Sequence, residues 1–341
     1  LQKKMVFIGG PRQVGKTTLA KTLIAARFKE TAYFNWDKRQ ERRQMMSSQW
    51  PGGADLIILD ELHKFKGWKR FIKGEYDTLK DKYKFIVTGS SRLDVYRKGG
   101  DSLQGRYHYY RLHPFSLAEL ALTKGKVAPF KELPIGPAPE NGQLDLLERF
   151  GGFPEPLFSQ DERTLRRWHN ERNERLFRED IQDMEMIRDL GSMKLLSDML
   201  PTKVGGLLSI NSIREDLEVS HRAVSRWLEI LEAFHYHFRI HPYARTPFRA
   251  LKKEPKLYLW DWSEVAHEPA RFENLIASHL LKLVHWLHDH EGLKAGLYFL
   301  RDSAKNEVDF LVTIEEKPWF AVEVKTQDEE VSSTLRSFQE K

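Results

Sequence analysis

The feature that most narrows the fold is an octapeptide near the N-terminus, Gly10-Pro11-Arg12-Gln13-Val14-Gly15-Lys16-Thr17, which fits the spacing G-x-x-x-x-G-K-[ST]. Its flanks matter as much as its letters. Met5–Ile8 is an apolar, strand-like run, and Lys16–Phe28 has helical spacing. A strand, a glycine-rich turn and a helix in that order curl the backbone so that its N–H groups converge, and the helix N-terminus adds the positive end of its dipole. Such a turn cradles phosphate. Gly10, Pro11, Gln13, Val14, Gly15, Lys16, Thr17 and Thr18 are therefore the expected nucleotide-binding residues. Lys16 would meet the β- and γ-phosphates, and the Thr17 hydroxyl would ligate Mg²⁺.

A phosphate loop of this kind needs a second motif. Asp55-Leu56-Ile57-Ile58-Leu59-Asp60-Glu61 supplies it: four apolar residues make a buried strand, and its carboxyl end presents two adjacent acids where a parallel sheet binds ligand. Asp60 would hold Mg²⁺ and Glu61 would polarise the attacking water of ATP hydrolysis. Around these motifs, residues 1–115 alternate strand-like and helical stretches, the pattern of a parallel α/β sheet. Strands are expected at Met5–Ile8, Ala32–Trp36, Leu56–Leu59, Phe85–Thr88 and Tyr107–Leu112, and helices at Lys16–Phe28, Lys38–Ser47 and Gly67–Lys82. Residues 124–142, rich in proline and glycine, read as a loop, and 143–190 as charged helices.

Further along, Ile213–Ser220 and His221–Leu228 read as a helix–turn–helix, with Ser220 capping a second helix whose inner face is Val224, Trp227, Leu228 and Leu231. The N-terminal residues of such a helix, here His221, Arg222 and Ser225, would reach the major groove of DNA. Between Arg239 and Lys256 six bases (Arg239, Arg245, Arg249, Lys252, Lys253 and Lys256) face one acid, Glu254, and the flanking Tyr236–His241 and Lys256–Trp260 resemble the strands of a wing. A basic wing suits phosphate contact with little sequence reading. A winged helix also serves as a protein contact, and that alternative stays open.

Near the C-terminus, Glu307–Val312 and Phe320–Lys325 are apolar strands interrupted by charge. Alternation places Asp309 and Glu323 on one side, and facing carboxylates repel unless a cation separates them. With Glu273 on a preceding helix and Lys325 two residues after Glu323, the pattern resembles the PD-(D/E)xK nuclease core. That resemblance implies Mg²⁺ or Mn²⁺ held by Glu273, Asp309 and Glu323, with Lys325 orienting the attacking water. A nuclease-like fold that keeps its shape without cutting is the alternative.

The order of the pieces, GPRQVGKTT, LIILDELHKF, VTGSSR, SLQGRY, GGFPEP, the helix–turn–helix and finally NEVDFLV and AVEVK, resembles a family of prokaryotic AAA+ ATPases that end in a PD-(D/E)xK-like domain of unknown function. The resemblance implies a sensor-1 residue at Ser90 or Ser91 and an arginine finger at Arg106 acting on a neighbouring subunit's ATP. It also implies a Gly-x-Pro lid motif that brings Pro154 near the adenine. Arg106 as an ordinary arginine of its own subunit, and Pro154 as part of a plain turn, remain alternatives. No sensor-2 arginine stands out among Arg163, Arg166 and Arg167. The implied architecture is an AAA+ core (1–115), a helical lid (116–195), a winged helix (196–260) and a restriction-endonuclease-like α/β domain (261–341), assembled as a homo-oligomer, with a hexamer favoured. It implies further residues before the first strand and after the last, consistent with a chain that opens on Leu1.

Composition fits. With no cysteine there can be no disulfide or thiolate metal site, and a reducing cytoplasm is the expected location. No apolar run reaches the ~18 residues of a membrane span. A net charge of +6 leans toward nucleic acid. Two functions are expected from the whole: Mg²⁺-dependent ATP hydrolysis coupled to DNA binding or remodelling, or a nucleotide-gated switch whose C-terminal half contacts a protein.

Overall fold

In this computed structural model the five expected runs of the first third are strands: β1 (Met5–Gly9), β2 (Thr31–Asn35), β3 (Leu56–Asp60), β4 (Lys84–Thr88) and β5 (Tyr107–Arg111). The structure describes residues 3–89, 103–123, 127–134, 142–181, 189–244, 253–327 and 330–339. Ser90 and Ser91, and the wing bases Arg245, Arg249 and Lys252, lie outside the described residues.

The chain divides into two compact units, Leu1–His113 and Pro114–Lys341. In the first, all five strands are parallel in the order β2-β3-β4-β1-β5. The strand that intervenes in sequence, β2, takes the sheet edge, and β4 lies between β1 and β3. Every residue of β3 is buried, as a strand covered on both faces must be. Alternation sends Phe7, Ile57, Leu59 and Phe85 to one face, where Trp68 and Ile72 cover them, and Ile8, Leu56, Ile58 and Ile86 to the other, against Ala20.

The helix after the phosphate loop is less regular than its spacing suggests. It starts as α1 (Lys16–Thr18), widens into a π-type winding over Leu19–Ile24 and tightens at Ala25–Arg27. Wide turns of that kind occur frequently at functional sites. Two further helices, α2 (Arg39–Met46) and α3 (Trp68–Leu79), complete the layers.

The second unit opens with α4 (Leu117–Leu120), held by a reciprocal capping box between Ser116 and Glu119, then α5 (Gln143–Phe150), α6 (Pro154–Ser159) and α7 (Glu162–Arg175). Next come α8 (Leu190–Met199) and the helix pair α9 (Ile210–Asp216) and α10 (His221–Ala233). The Ser220 side chain caps α10 by accepting the Ala223 N–H, and Val224, Trp227, Leu228 and Leu231 are its buried face.

The strands that follow depart from the expected wing. β6 (His237–Pro242) and β7 (Lys256–Leu259) pair antiparallel, but β6 also runs parallel beside β8 (Ala295–Arg301). With β9 (Glu307–Ile314) and β10 (Lys317–Val322) they form one sheet in the order β10-β9-β8-β6-β7, crossed by α11 (Glu268–Asp289) and followed by α12 (Ser333–Gln339). The cause is legible in burial: β7 is buried at every position, and Phe238, Ile240 and Tyr258 share a core with Phe299 and Phe310. A hairpin that apolar cannot stand free in water. One core runs from Leu176 to Phe310, so the boundaries expected at 195 and 260 fall inside a single compact unit.

Candidate functional site

The phosphate loop has the backbone its glycines permit. Gly10 lies at φ 144, and a Cβ there would sit 2.3 Å from the Leu112 carbonyl oxygen; Gly15 lies at φ 99. Gly15 caps α1 with no side-chain hydrogen bond to its first turn, the end of a helix that suits an anion. Lys16 is buried, and its ammonium donates to the carbonyl oxygens of Gly10 (3.0 Å) and Pro11 (2.6 Å). The lysine thus folds back across the hollow of its own loop.

Asp60 gathers hydroxyls from three elements. Its Oδ2 accepts from Thr17 Oγ1 (2.9 Å) and Tyr33 OH (2.7 Å), and its Oδ1 accepts from the Thr88 hydroxyl. Thr17 and Asp60 therefore present adjacent oxygens, the donor type that Mg²⁺ prefers, and the pair fits that ion. Burial, helped by the Asp60 carboxylate, raises the Tyr33 pKa well above its ordinary value. Neither Tyr33 nor the role of Thr88 was anticipated. Thr88 is the register partner of Asp60 on β4, whereas Tyr33 pairs with Ile58, two residues short of Asp60, and reaches the carboxylate only through the fold.

Glu61 turns the chain out of β3 in a left-handed conformation, φ 56, its N–H donating to the Thr88 carbonyl (3.1 Å). Burial raises its pKa, against the pull of the Lys16, Lys64 and Arg12 cations. His63, also missed from sequence, is buried nearby, with Nε2 3.6 Å from Glu61 Oε2. Burial, then the same three cations, pushes its pKa down to about 3, so its imidazole is neutral at physiological pH. Glu61 Oε2 and both His63 ring nitrogens are buried without a hydrogen-bond partner among the described residues. Groups in that condition call for a polar ligand or an ordered water.

Arg106 forms a two-pronged ion pair with Asp77 of α3 in its own chain, Nε to Oδ1 at 2.8 Å and Nη2 to Oδ2 at 3.0 Å, both side chains partly exposed. Pro154 opens α6 as its first residue, next to the buried Phe153. Arg163, Arg166 and Arg167 are exposed on α7. The buried arginine of that helix is Arg172, which reaches Glu264 (3.1 Å) and Asp261 (3.6 Å), while His169 Nε2 lies 3.3 Å from Asp261 Oδ2. His169, Asp261 and Glu264 have the mutual spacing of metal ligands, but the Arg172 guanidinium already supplies the cation among them.

On α10, His221 and Arg222 are exposed, and the Ser225 hydroxyl donates to the His221 carbonyl (2.9 Å). Lys253 is exposed as well. Two other wing bases are not on the surface as expected. Arg239 pairs with Glu232 (2.5 Å), and Lys256 is buried in the C-terminal acid cluster. There its ammonium lies 2.6 Å from Glu307, 3.5 Å from Glu273 and 3.6 Å from Asp309. Burial alone would lower the Lys256 pKa, but the three carboxylates outweigh it and raise it.

The structure thus brings Glu273 and Asp309 together as expected, but around a lysine. Tyr258 OH donates to Glu273 (2.7 Å), and the Val324 N–H donates to Asp309 Oδ2 (2.8 Å), which sets Glu323-Val324-Lys325 beside Asp309. Lys325 sits 3.4 Å from Glu323. Glu273, Asp309 and Glu323 do not form a group with metal-ligand spacing among the described residues, and with Lys256 in their midst they do not fit the expected divalent ion.

Residues 2–121 match the family described as AAA domain. Residues 143–267 and 270–341 match two families described as domains of unknown function, DUF8612 and DUF4143. An uncharacterized protein of Methanocaldococcus jannaschii is 23% identical over 235 residues, covering 66% of this chain and 53% of that protein, so the chain spans about half the length of this relative. Among solved structures, the Thermotoga maritima RuvB Holliday junction branch migration motor is 17% identical, covering 74% of this chain and 88% of that one at a TM-score of 0.33. The Bacillus subtilis DNA clamp loader delta protein is 11% identical, covering 83% and 94% at a TM-score of 0.32. These scores describe a loose likeness of shape. The phosphate loop, the parallel strand order and the match over residues 2–121 agree on a P-loop, AAA-like core for the N-terminal unit.

Proposed function

We propose that the chain is a Mg²⁺-dependent ATPase whose turnover is coupled to DNA, working in the cytoplasm as a homo-oligomer. The observation that carries the ATPase reading is the meeting of Thr17 and Asp60 at 2.9 Å with Glu61 next in sequence, at the carboxyl end of β3 and beside the phosphate loop. In the proposed mechanism Lys16 exchanges the Gly10 and Pro11 carbonyls for the β- and γ-phosphates, and Thr17 and Asp60 hold Mg²⁺. Bound there, the ion would neutralise charge on the phosphate oxygens. Glu61 accepts a hydrogen bond from the water whose oxygen attacks the γ-phosphorus. The bond from that phosphorus to the β–γ bridging oxygen breaks, ADP leaves, and the water proton ends on Glu61 or on the released phosphate. Ser90 would contact the γ-phosphate.

Arg106 acts on a neighbouring subunit's ATP in this reading, and to do so it must leave Asp77. Arg106→Ala separates the roles. An exposed pair contributes at most ~1 kcal/mol to stability, whereas a trans-acting arginine is worth roughly 10³-fold in turnover. Turnover collapsing with the melting temperature nearly unchanged is the expected result; unchanged turnover would confine Arg106 to its own chain.

DNA would lie against the start of α10, with His221, Arg222 and Ser225 toward the groove and Lys253, Arg245, Arg249 and Lys252 toward phosphates. The deciding experiment measures ATP turnover with and without duplex and branched DNA at moderate salt. Stimulation is expected, and Lys253→Ala should reduce the slope of log affinity against log salt by about one. Absence of both binding and stimulation would remove the DNA part of the proposal.

One observation favours a second reading, the nucleotide-gated switch with a protein partner. Arg239 and Lys256 are consumed by internal ion pairs, which thins the basic wing. Slow turnover indifferent to DNA, with a stable complex formed by a host protein, would select it.

A further inference from the structure

We infer that the C-terminal carboxylate cluster excludes divalent metal, because the Lys256 ammonium occupies the place of the cation that a nuclease-like arrangement of these acids would hold. The inference does not depend on the ATPase or DNA reading.

Five of the six carboxylate oxygens of Glu273, Glu307 and Asp309 are engaged by other groups among the described residues. Glu307 is held by Lys256 on Oε1 (2.6 Å) and by Arg301 on Oε2 (3.2 Å). Asp309 offers Oδ1 to Lys256 and takes the Val324 N–H on Oδ2. Glu273 accepts the Tyr258 hydroxyl on Oε1, while its Oε2 lies against the Gly205 backbone, where a Cβ would approach to 3.1 Å. The lysine is held from several sides. Lys256 is 3% exposed, its backbone is paired with β6 and bridged to Leu207, and its ammonium lies over the Phe299 ring at 5.7 Å.

Charge makes the same point. Three carboxylates crowded together and only partly exposed repel one another, and the buried Lys256 ammonium supplies the positive charge that relieves this. A divalent ion bound among these acids would have to displace that ammonium from the contacts it makes with all three. Strand alternation built the arrangement: Lys256 and Tyr258, two residues apart on β7, face the same way and both meet Glu273. Glu323 and Lys325 neutralise each other at the rim. The acids expected of a metal site are thus gathered around the chain's own ammonium.

The test is a Mn²⁺ titration of the nucleotide-free full-length chain, followed by electron paramagnetic resonance of the free ion, in an Asp60→Asn background that removes the ATP-site ligand. The protein should show no Mn²⁺ site that Asp309→Asn abolishes. Lys256→Met should gain about one ion, at least roughly tenfold tighter than any the parent holds, and adding Asp309→Asn should abolish it. The Lys256→Met protein should also melt about 10 °C lower, as loss of one partner of a buried ion pair predicts, and Mn²⁺ should restore it. An Asp309-dependent Mn²⁺ site in the lysine-containing protein overturns the inference. So does a folded Lys256→Met protein that gains no ion. If Lys256→Met fails to fold, the Asp309 dependence of the lysine-containing protein decides alone.

Discussion

Glu61→Gln is expected to lower ATP turnover about 10²- to 10⁴-fold while leaving nucleotide binding intact, the range that a positioned base contributes. The amide keeps the shape of the side chain but cannot accept the water's proton. Folding should not suffer. Burial already disfavours the charged carboxylate, so a neutral amide should leave the melting temperature unchanged or raise it. The raised pKa also fixes the acid limb of the pH profile. The ionised form is the active one, so turnover is lost as pH falls through a pKa above the 4.5 of an ordinary glutamate. Steady-state turnover from pH 5 to 8, with nucleotide affinity measured in parallel, checks both statements. A Glu61→Gln protein that hydrolyses ATP at the wild-type rate would remove Glu61 from the chemistry.

Asp60→Asn should be equally damaging to turnover but by another route, and the two can be told apart. Asp60 accepts three hydroxyls, from Thr17, Tyr33 and Thr88. Asparagine offers one acceptor oxygen and sets an amide donor where the other carboxylate oxygen was, so the hydroxyls must rotate at a cost of about 1 kcal/mol. Its larger effect is the loss of an anionic oxygen for Mg²⁺. Turnover should fall by roughly 10²-fold or more, and nucleotide affinity should lose its dependence on Mg²⁺. Calorimetric titration with and without the ion reads this directly. Glu61→Gln should keep the Mg²⁺ dependence that Asp60→Asn loses; reversed results would exchange the two roles.

The nucleotide site was legible in the sequence because each of its parts is short and local. Gly10–Thr17 dictates its own backbone, and a run of four apolar residues before Asp60, following a phosphate-loop motif, reads as a strand buried on both faces. What escaped was whatever depends on neighbours far apart in sequence. Tyr33 reaches Asp60 because β2 pairs with β3 in a register that no local pattern displays. His63 reads as one polar residue in a turn, and its neutral state follows only from burial beside Lys64, Lys16 and Arg12. Lys256 counted as one of six wing bases because charge totals carry no direction; once the chain folds, it points inward. The two strands expected of a wing do pair with each other, but their place in a larger sheet escaped for the same reason. They alternate well enough for a hairpin, but nothing within 236–260 says that β6 will find β8 some fifty residues later. Arg106 was visible as a candidate, yet its Asp77 partner lies on a helix whose facing side sequence alone does not fix.

The pairing of β6 with β8 has a mechanical consequence. A hairpin attached by one tight turn can swing, and whatever grips it feels a soft spring. Here the strands that follow α10 are laced by backbone hydrogen bonds into the sheet that carries β8, β9 and β10. The seam is short, His241 with Tyr298 and Pro242 with Phe299, and the apolar core shared by Phe238, Ile240, Tyr258, Phe299 and Phe310 backs it. A tug on α10 would therefore reach the C-terminal strands through that seam and core, and their repacking would set how much of it arrives.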